Sequence, residues 1–214
     1  MGLFIKVCGL TTPGDAVAAV RAGADALGLN FYPGSKRVVT VAAARRIVEA
    51  LPPFVWVVGV FVDAGRAEVL RTAREVGLDA VQLHGGESPA FVASLGLRTV
   101  KALPVGGAPV TGLARRFAAA DLLLLDTAQR GHGGGGVAFD WRLARGLARR
   151  RPVLLAGGLT PANVAEAVRT VRPFGVDVAS GVERRPGVKD PRKLKAFVAA
   201  ARAAAAPLTG GTRP

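Results

Sequence analysis

Leu3-Phe4-Ile5-Lys6-Val7-Cys8-Gly9-Leu10-Thr11 stands at the start of the chain, and its reading decides the fold. Leu3, Phe4, Ile5 and Val7 are the large apolar and β-branched types that fill a parallel strand covered on both faces. Cys8 ends the run, and Gly9 lets the backbone turn or a ligand come close. Thr12-Pro13 then supplies an N-cap and a first helical residue. A strand that ends in a reactive side chain and passes straight into a helix is how a (β/α)8 barrel places its chemistry. Alternation along the strand puts Lys6 and Cys8 on one face, about 7 Å apart. Such an ammonium favours the thiolate and makes Cys8 a candidate base or nucleophile. The plainer readings are a small buried hydrophobe at Cys8 and a structural Lys6 paired with an inward acid such as Asp177.

Outward from this unit the chain alternates strand and helix to its end, the pattern of a parallel sheet with helical crossovers. Further strands are expected at residues 25–31, 54–62, 79–84, 98–103, 121–126, 152–156 and 176–179. Helices are expected at 40–51, 66–76, from 88, at 110–119, from 140, from 160 with Thr160-Pro161 as cap and first residue, and from 190, with a short extra one at 182–185. Eight units in 214 residues leave no space for a second domain. The fold class is therefore α/β, a single-domain (β/α)8 TIM barrel, with residues 1–205 as the catalytic domain and 206–214 as a flexible tail. A doubly wound open sheet would want a glycine-rich loop after its first strand, but the glycines gather toward the other end of the chain.

Composition narrows the partners. No apolar run approaches the roughly 18 residues of a membrane helix, and the N-terminus lacks the pattern of a signal peptide. One cysteine excludes an internal disulfide and fits a reducing cytoplasm, where the protein is expected to reside. Two histidines, His84 and His132, leave little for a metal site, and none is expected. The formal charge of +14 suggests a polyanion. The cations, however, are arginines scattered in pairs over different helices, without a basic stripe interleaved with aromatics. That is the signature of solvated helix faces, so neither nucleic acid nor membrane is the expected partner; an anionic metabolite is.

In a barrel the functional groups lie at the C-terminal strand ends. Here those ends carry Cys8, Asn30, Asp63, His84, a segment at 101–103, Asp126, Gly157-Gly158 and Ser180-Gly181. Glycine turns after strands seven and eight are where such barrels bind phosphate, because backbone N–H groups converge there on the anion. Tight turns alone are the competing explanation. Desolvation favours the protonated form of a carboxylate at an apolar rim, which makes Asp126 a candidate proton donor. The glycine-rich residues 131–136 that follow suggest a cover over the barrel mouth. Arg37 offers a planar fork suited to a carboxylate.

Taken in order, several motifs resemble phosphoribosylanthranilate isomerase, a barrel family of tryptophan biosynthesis. They are KVCGLT at 6–11, GADALGLNF at 23–31, SKRV at 35–38, VGVFV at 58–62, VQLHGGE at 81–87 and LLDT at 124–127, then FDW at 139–141, LAGGLTPANV at 155–164, VDVASGVE at 176–183 and GVKD at 187–190. The resemblance implies a cofactor-free Amadori rearrangement of N-(5-phosphoribosyl)anthranilate, with Asp126 as general acid and Cys8 as general base. It implies that Arg37 holds the anthranilate carboxylate and that Gly157, Gly158, Ser180 and Gly181 hold the phosphate, with His84 and Asp177 completing the substrate-binding set. The chain departs from the family pattern at Lys36, where a proline is usual, and at Gly135, where a threonine is usual. A pentose-phosphate epimerase, another phosphosugar barrel, typically needs a metal held by histidines and aspartates, and the two histidines here argue against it. Phe54 and Trp56, near the N-terminal side of the barrel, suggest a homodimer contact as readily as core packing.

Overall fold

The computed structural model describes residues 2–106, 110–127 and 140–206. Within them the eight expected strands form a closed parallel barrel in chain order. β1 (Phe4–Cys8), β2 (Ala26–Asn30), β3 (Trp56–Phe61) and β4 (Ala80–Leu83) make one half. β5 (Thr99–Val105), β6 (Leu122–Thr127), β7 (Val153–Leu155) and β8 (Gly175–Val178) make the other. Closure is the β1–β8 ladder, in register Phe4 with Gly175, Ile5 with Val176, Lys6 with Asp177 and Val7 with Val178. The helices are α1 (Pro13–Ala22), α2 (Val41–Glu49), α3 (Arg66–Val76), α4 (Pro89–Ser94), α5 (Val110–Arg116), α6 (Arg142–Ala148), α7 (Val164–Val171) and α8 (Pro191–Ala205).

Local chemistry sets most boundaries. Thr12, Thr40 and Ser88 accept backbone N–H bonds at the starts of α1, α2 and α4, and Asp190 accepts two at α8, with Pro13, Pro89 and Pro191 just inside their helices. α7 differs from expectation. It starts at Val164, not after Thr160, because Asn163 accepts the Thr160 N–H at 2.8 Å and donates to the Gly158 carbonyl at 2.9 Å. That side chain closes a turn where a helix was expected. The short helix expected at 182–185 is likewise absent. A 3-10 turn at Ser180–Val182 leads into β9 (Glu183–Arg185), which pairs antiparallel with β10 (Val188–Lys189). Gly187, at φ 80°, turns this hairpin. Phe54 lies outside the strand predicted to contain it; its φ is 67° and the residue is 99% exposed.

Strand alternation divides the core. Outward residues such as Ile5, Leu27, Leu123 and Leu125 join the helices in one continuous cluster. Inward residues form two small groups, Ala26, Val58 and Ala80 on one side and Val100, Ala102, Leu124, Leu154 and Ala156 on the other, with Phe4 packed against both. The floor is thus apolar, and Lys6, Gln82 and Asp177 lie a step nearer the C-terminal rim. Three aspartates staple the opposite end: Asp25 accepts the Ile5 N–H at 2.8 Å, Asp79 that of Val57 at 2.7 Å and Asp121 that of Thr99 at 2.8 Å. Each precedes an even-numbered strand and fixes the first turn of the odd-numbered strand before it.

Outside the barrel wall, Lys101 and Glu87 form a buried ion pair at 2.7 Å. Lys101 also donates to the Leu83 and Gly85 carbonyls, while Glu87 accepts the N–H groups of Asp63 and Gly85. Removing one partner of such a pair strands a charge in low dielectric. Glu87→Ala is expected to lower stability by about 3–5 kcal/mol in urea denaturation, and Lys101→Met with Glu87→Leu to lower it by less than Glu87→Ala alone.

Candidate active site

Cys8 and Asn30 end β1 and β2, His84 directly follows β4 and Asp126 is the last but one residue of β6, all at the rim of one barrel mouth. Space for the thiol comes from the neighbouring strand. Cys8 pairs in register with Gly28, where a Cβ would come within 2.6 Å of Sγ. Beneath it, Lys6 is buried and donates to Asp177 Oδ1 at 2.9 Å, so the inward lysine and acid are paired. Burial opposes the Lys6 charge, yet the Asp177 carboxylate and Cys8 outweigh it and hold the ammonium above its ordinary pKa. For Cys8, burial dominates and pushes the thiol upward. Lys6 pulls it back, Asp177 adds to the rise, and Lys189 opposes it. The site therefore carries a thiol whose ionisation depends on the lysine below it.

Across the mouth, Asp126 Oδ1 accepts the Thr127 N–H at 2.7 Å, and Oδ2 lies 3.3 Å from His84 Nε2. His84 Nδ1 is 2.9 Å from Gln82 Nε2. With that amide donating to Nδ1, the imidazole proton sits on Nε2 and faces the carboxylate. Gly157, at φ 80°, clears the space, since a Cβ there would come within 2.9 Å of Asp126 Oδ1. A Cβ at Gly181 would strike the Leu159 carbonyl oxygen, so the loops after β7 and β8 touch. Gly157 and Gly158 in the one loop, and Ser180 and Gly181 in the other, therefore lie in two loops that meet at Leu159 and Gly181. The glycine-rich residues 131–136, including Gly135, and the tail beyond Ala206 lie outside the described residues.

Arg37 sits on the β1 side, its stem crossing Gly9 where a Cβ would collide with Cδ. The turn that carries it is tied by the Ser35 hydroxyl, which accepts the Arg37 N–H at 3.1 Å. Arg37 is not a free fork. Nε and Nη2 donate to the two oxygens of Glu183 at 2.8 and 2.7 Å. The Glu183 bonds raise the Arg37 pKa. Burial pushes Glu183 up, but the bonds and charges of Arg37 and Lys189 outweigh it and hold the carboxyl below its ordinary range. Sequence reasoning missed Glu183, Lys189, Gln82 and Gly28. Only Gly28 left a trace, as a glycine interrupting an apolar strand opposite the cysteine.

The chain matches the family model described as "N-(5'phosphoribosyl)anthranilate (PRA) isomerase" over residues 5–200. It is 52% identical to the N-(5'-phosphoribosyl)anthranilate isomerase of Myxococcus xanthus over 206 residues, covering 94% of this chain and 97% of that one. A phosphoribosyl anthranilate isomerase crystallised with reduced 1-(o-carboxyphenylamino)-1-deoxyribulose 5-phosphate superimposes with a TM-score of 0.85 at 41% identity, covering 94% of this chain and 99% of that one. Monomers generated from the dimeric isomerase of Thermotoga maritima give a TM-score of 0.85 at 39% identity, with the same coverage.

Removing the ammonium near Cys8 disfavours the thiolate, so Lys6→Met is expected to raise the Cys8 pKa further. At a given pH below that midpoint less thiolate is present, and alkylation slows. Iodoacetamide rates followed from pH 7 upward should trace a sigmoid displaced to higher pH in the variant; coincident curves would mean that Lys6 does not govern the thiol.

Proposed function

The chain belongs to the N-(5'-phosphoribosyl)anthranilate isomerase family, and from that premise we propose that it converts N-(5-phosphoribosyl)anthranilate to 1-(2-carboxyphenylamino)-1-deoxyribulose 5-phosphate in tryptophan biosynthesis. The observation that carries the reading is the pairing of two proton-transfer groups in one mouth: a thiol above a buried lysine at β1, and a carboxylate against a histidine at β6. Asp126, in its protonated form, gives its proton to the furanose ring oxygen. The C1–O bond breaks as the anilino nitrogen lone pair forms a C=N bond to C1. Cys8, as thiolate, removes the proton on C2, and the electrons of that C–H bond form C1=C2 while those of C=N return to nitrogen. The resulting enol becomes the C2 ketone when C1 takes up a proton and the C2 hydroxyl gives its own up to solvent. C2 is oxidised and C1 reduced within one molecule, so the chemistry calls for no external electron carrier.

Each remaining group has a task in this scheme. Arg37 takes the anthranilate carboxylate. Backbone N–H groups around Gly157, Gly158, Ser180 and Gly181 take the phosphate, a reading supported by the contact between their loops. His84 and Asp177 complete the substrate side, His84 steadying the Asp126 carboxylate after it has given up its proton. No helix among the described residues is long and apolar enough to cross a membrane; we place this biosynthetic step in the cytoplasm. The solvent-facing Phe54, beside Trp56 with Arg98 stacked 5.0 Å above its ring, supports a homodimer through the N-terminal face of the barrel.

Cys8→Ser and Asp126→Asn keep shape but lose the base and the acid, respectively. Each should lower kcat by about 100-fold or more with little change in ground-state binding. Single-turnover decay of the substrate's fluorescence measures both, and near-normal turnover in Cys8→Ser would remove the base from the scheme. Phe54→Asp should convert a dimer to a monomer in sedimentation velocity without loss of helical circular dichroism; an unchanged sedimentation coefficient would place the contact elsewhere.

A further inference from the structure

The β9–β10 hairpin inserts two charged side chains behind Cys8 that the scheme above does not use. Lys189 Nζ is buried and donates to the Cys8 carbonyl at 2.6 Å, the Ala179 carbonyl at 3.2 Å and Glu183 Oε1 at 2.8 Å. Glu183 in turn takes Nε and Nη2 of Arg37. Side-chain exposure is 0% for Lys189, 4% for Glu183 and 15% for Arg37, so the cluster opens to solvent chiefly through Arg37. The hairpin is itself tied to β1 and its turn, with the Thr11 hydroxyl on the Gly187 carbonyl at 2.6 Å and Lys189 N–H on Asp15 at 2.9 Å.

Two features of this cluster decide what Arg37 can do. A guanidinium has five N–H groups in a rigid plane. Glu183 occupies one edge, Nε with Nη2, and no acceptor among the described residues takes Nη1. The second edge, Nη1 with the other Nη2 proton, is the one left for a second carboxylate. Charge is the other feature. An arginine bonded to a glutamate alone is a neutral pair and attracts an incoming anion weakly. Here Lys189 also sits on Glu183, so two cations share one anion. The Lys6–Asp177 pair closes on itself, and while Cys8 is a neutral thiol, the form its burial favours, one positive charge remains at the guanidinium.

We propose that Glu183 and Lys189 are positioning residues that hold Arg37 edge-on to the mouth and, as an internally neutral buried pair, leave its positive charge to the aromatic carboxylate of the substrate. The inference rests on the reading that Arg37 binds that carboxylate. Burying Glu183 without Lys189 would still orient Arg37 but cancel its charge; burying neither would keep the charge but lose the orientation. The pair supplies both at once, and the hold of Lys189 on the Cys8 and Ala179 carbonyls and on Glu183 keeps the fork in register with the base.

The test uses two ligands, the reduced carboxyphenylamino deoxyribulose phosphate and the same molecule without its carboxylate, titrated calorimetrically into the purified protein. The ratio of their affinities is the readout, because general damage to the mouth or the phosphate site moves both ligands equally. Lys189→Met should lower the ratio by about tenfold or more, the loss expected for a charge-assisted bond whose cation is neutralised. Lys189→Met with Glu183→Gln, which restores one uncancelled charge, should recover much of it. Lys189→Gln keeps a hydrogen-bond donor, provides a second variant if the methionine form is unstable, and should lower the ratio likewise. An unchanged ratio in the lysine variants, or no recovery in the double variant, overturns the proposal while the wild-type preference for the carboxylate stands. A wild type with no such preference overturns the Arg37 reading instead, and the proposal with it.

Discussion

The β1–β8 ladder closes the barrel, and the arrangement of the site depends on that closure. Before it forms, Lys6 and Asp177 stand at opposite ends of the chain, separated by 171 residues, and each would be a charge facing an apolar interior. In register they become neighbours, and the pairing turns two desolvation penalties into one satisfied contact. The same closure sets Cys8 beside the hairpin after β8, so that a residue from the first strand and two from the last segment share one network. A slip of one residue would carry Lys6 out of line with Asp177 and, by alternation, turn one of them out of the interior. The polar interior therefore penalises alternative registers in a way that an all-apolar barrel would not.

Much of the fold was legible because its signals are local. Strand ends, N-caps and first-turn prolines appear close together in the sequence, and Thr12-Pro13, Ser88-Pro89 and Asp190-Pro191 all begin helices. Thr160-Pro161 carries the same signal and does not begin a helix. Asn163 outcompetes it by bonding across the turn to Thr160 and Gly158, a choice made by side-chain geometry that spacing cannot express. Phe54 misled in another way. Its apolar neighbours extend the strand pattern, but its backbone adopts a positive φ and leaves the ring in solvent.

The site was legible only where one strand end carries one group. Cys8, Asp126, His84 and the two glycine loops were each expected from their position, and the structure places those strand ends around one mouth. Partners from distant segments were not. Glu183 lies 146 residues from Arg37, in a hairpin whose short strands left no periodic mark. The residues around it, Val182 to Arg185, read equally well as a helical turn. Nothing local requires an acid there; the requirement comes from the guanidinium it meets.

The excess of basic residues also takes a different meaning once burial is known. The chain has six lysines, and three of them, Lys6, Lys101 and Lys189, are buried, whereas no arginine among the described residues is. Two of the three follow one design. Lys101 ties the carbonyls of Leu83 and Gly85 to Glu87, and Lys189 ties those of Cys8 and Ala179 to Glu183. Parallel strands that end together leave carbonyls with no further strand to receive, and the loops beyond them must be anchored without crowding the mouth. A compact ammonium with three rotatable donors suits this better than a planar fork. It satisfies two carbonyls and one carboxylate from a single point, and its stem packs along the apolar wall. Arginine is kept for Arg37, where planarity matters because one edge must hold an internal acid while the other stays open. The functional content of the charge thus lies in a few buried cations whose partners are fixed by the barrel, and the surface arginines contribute to it little.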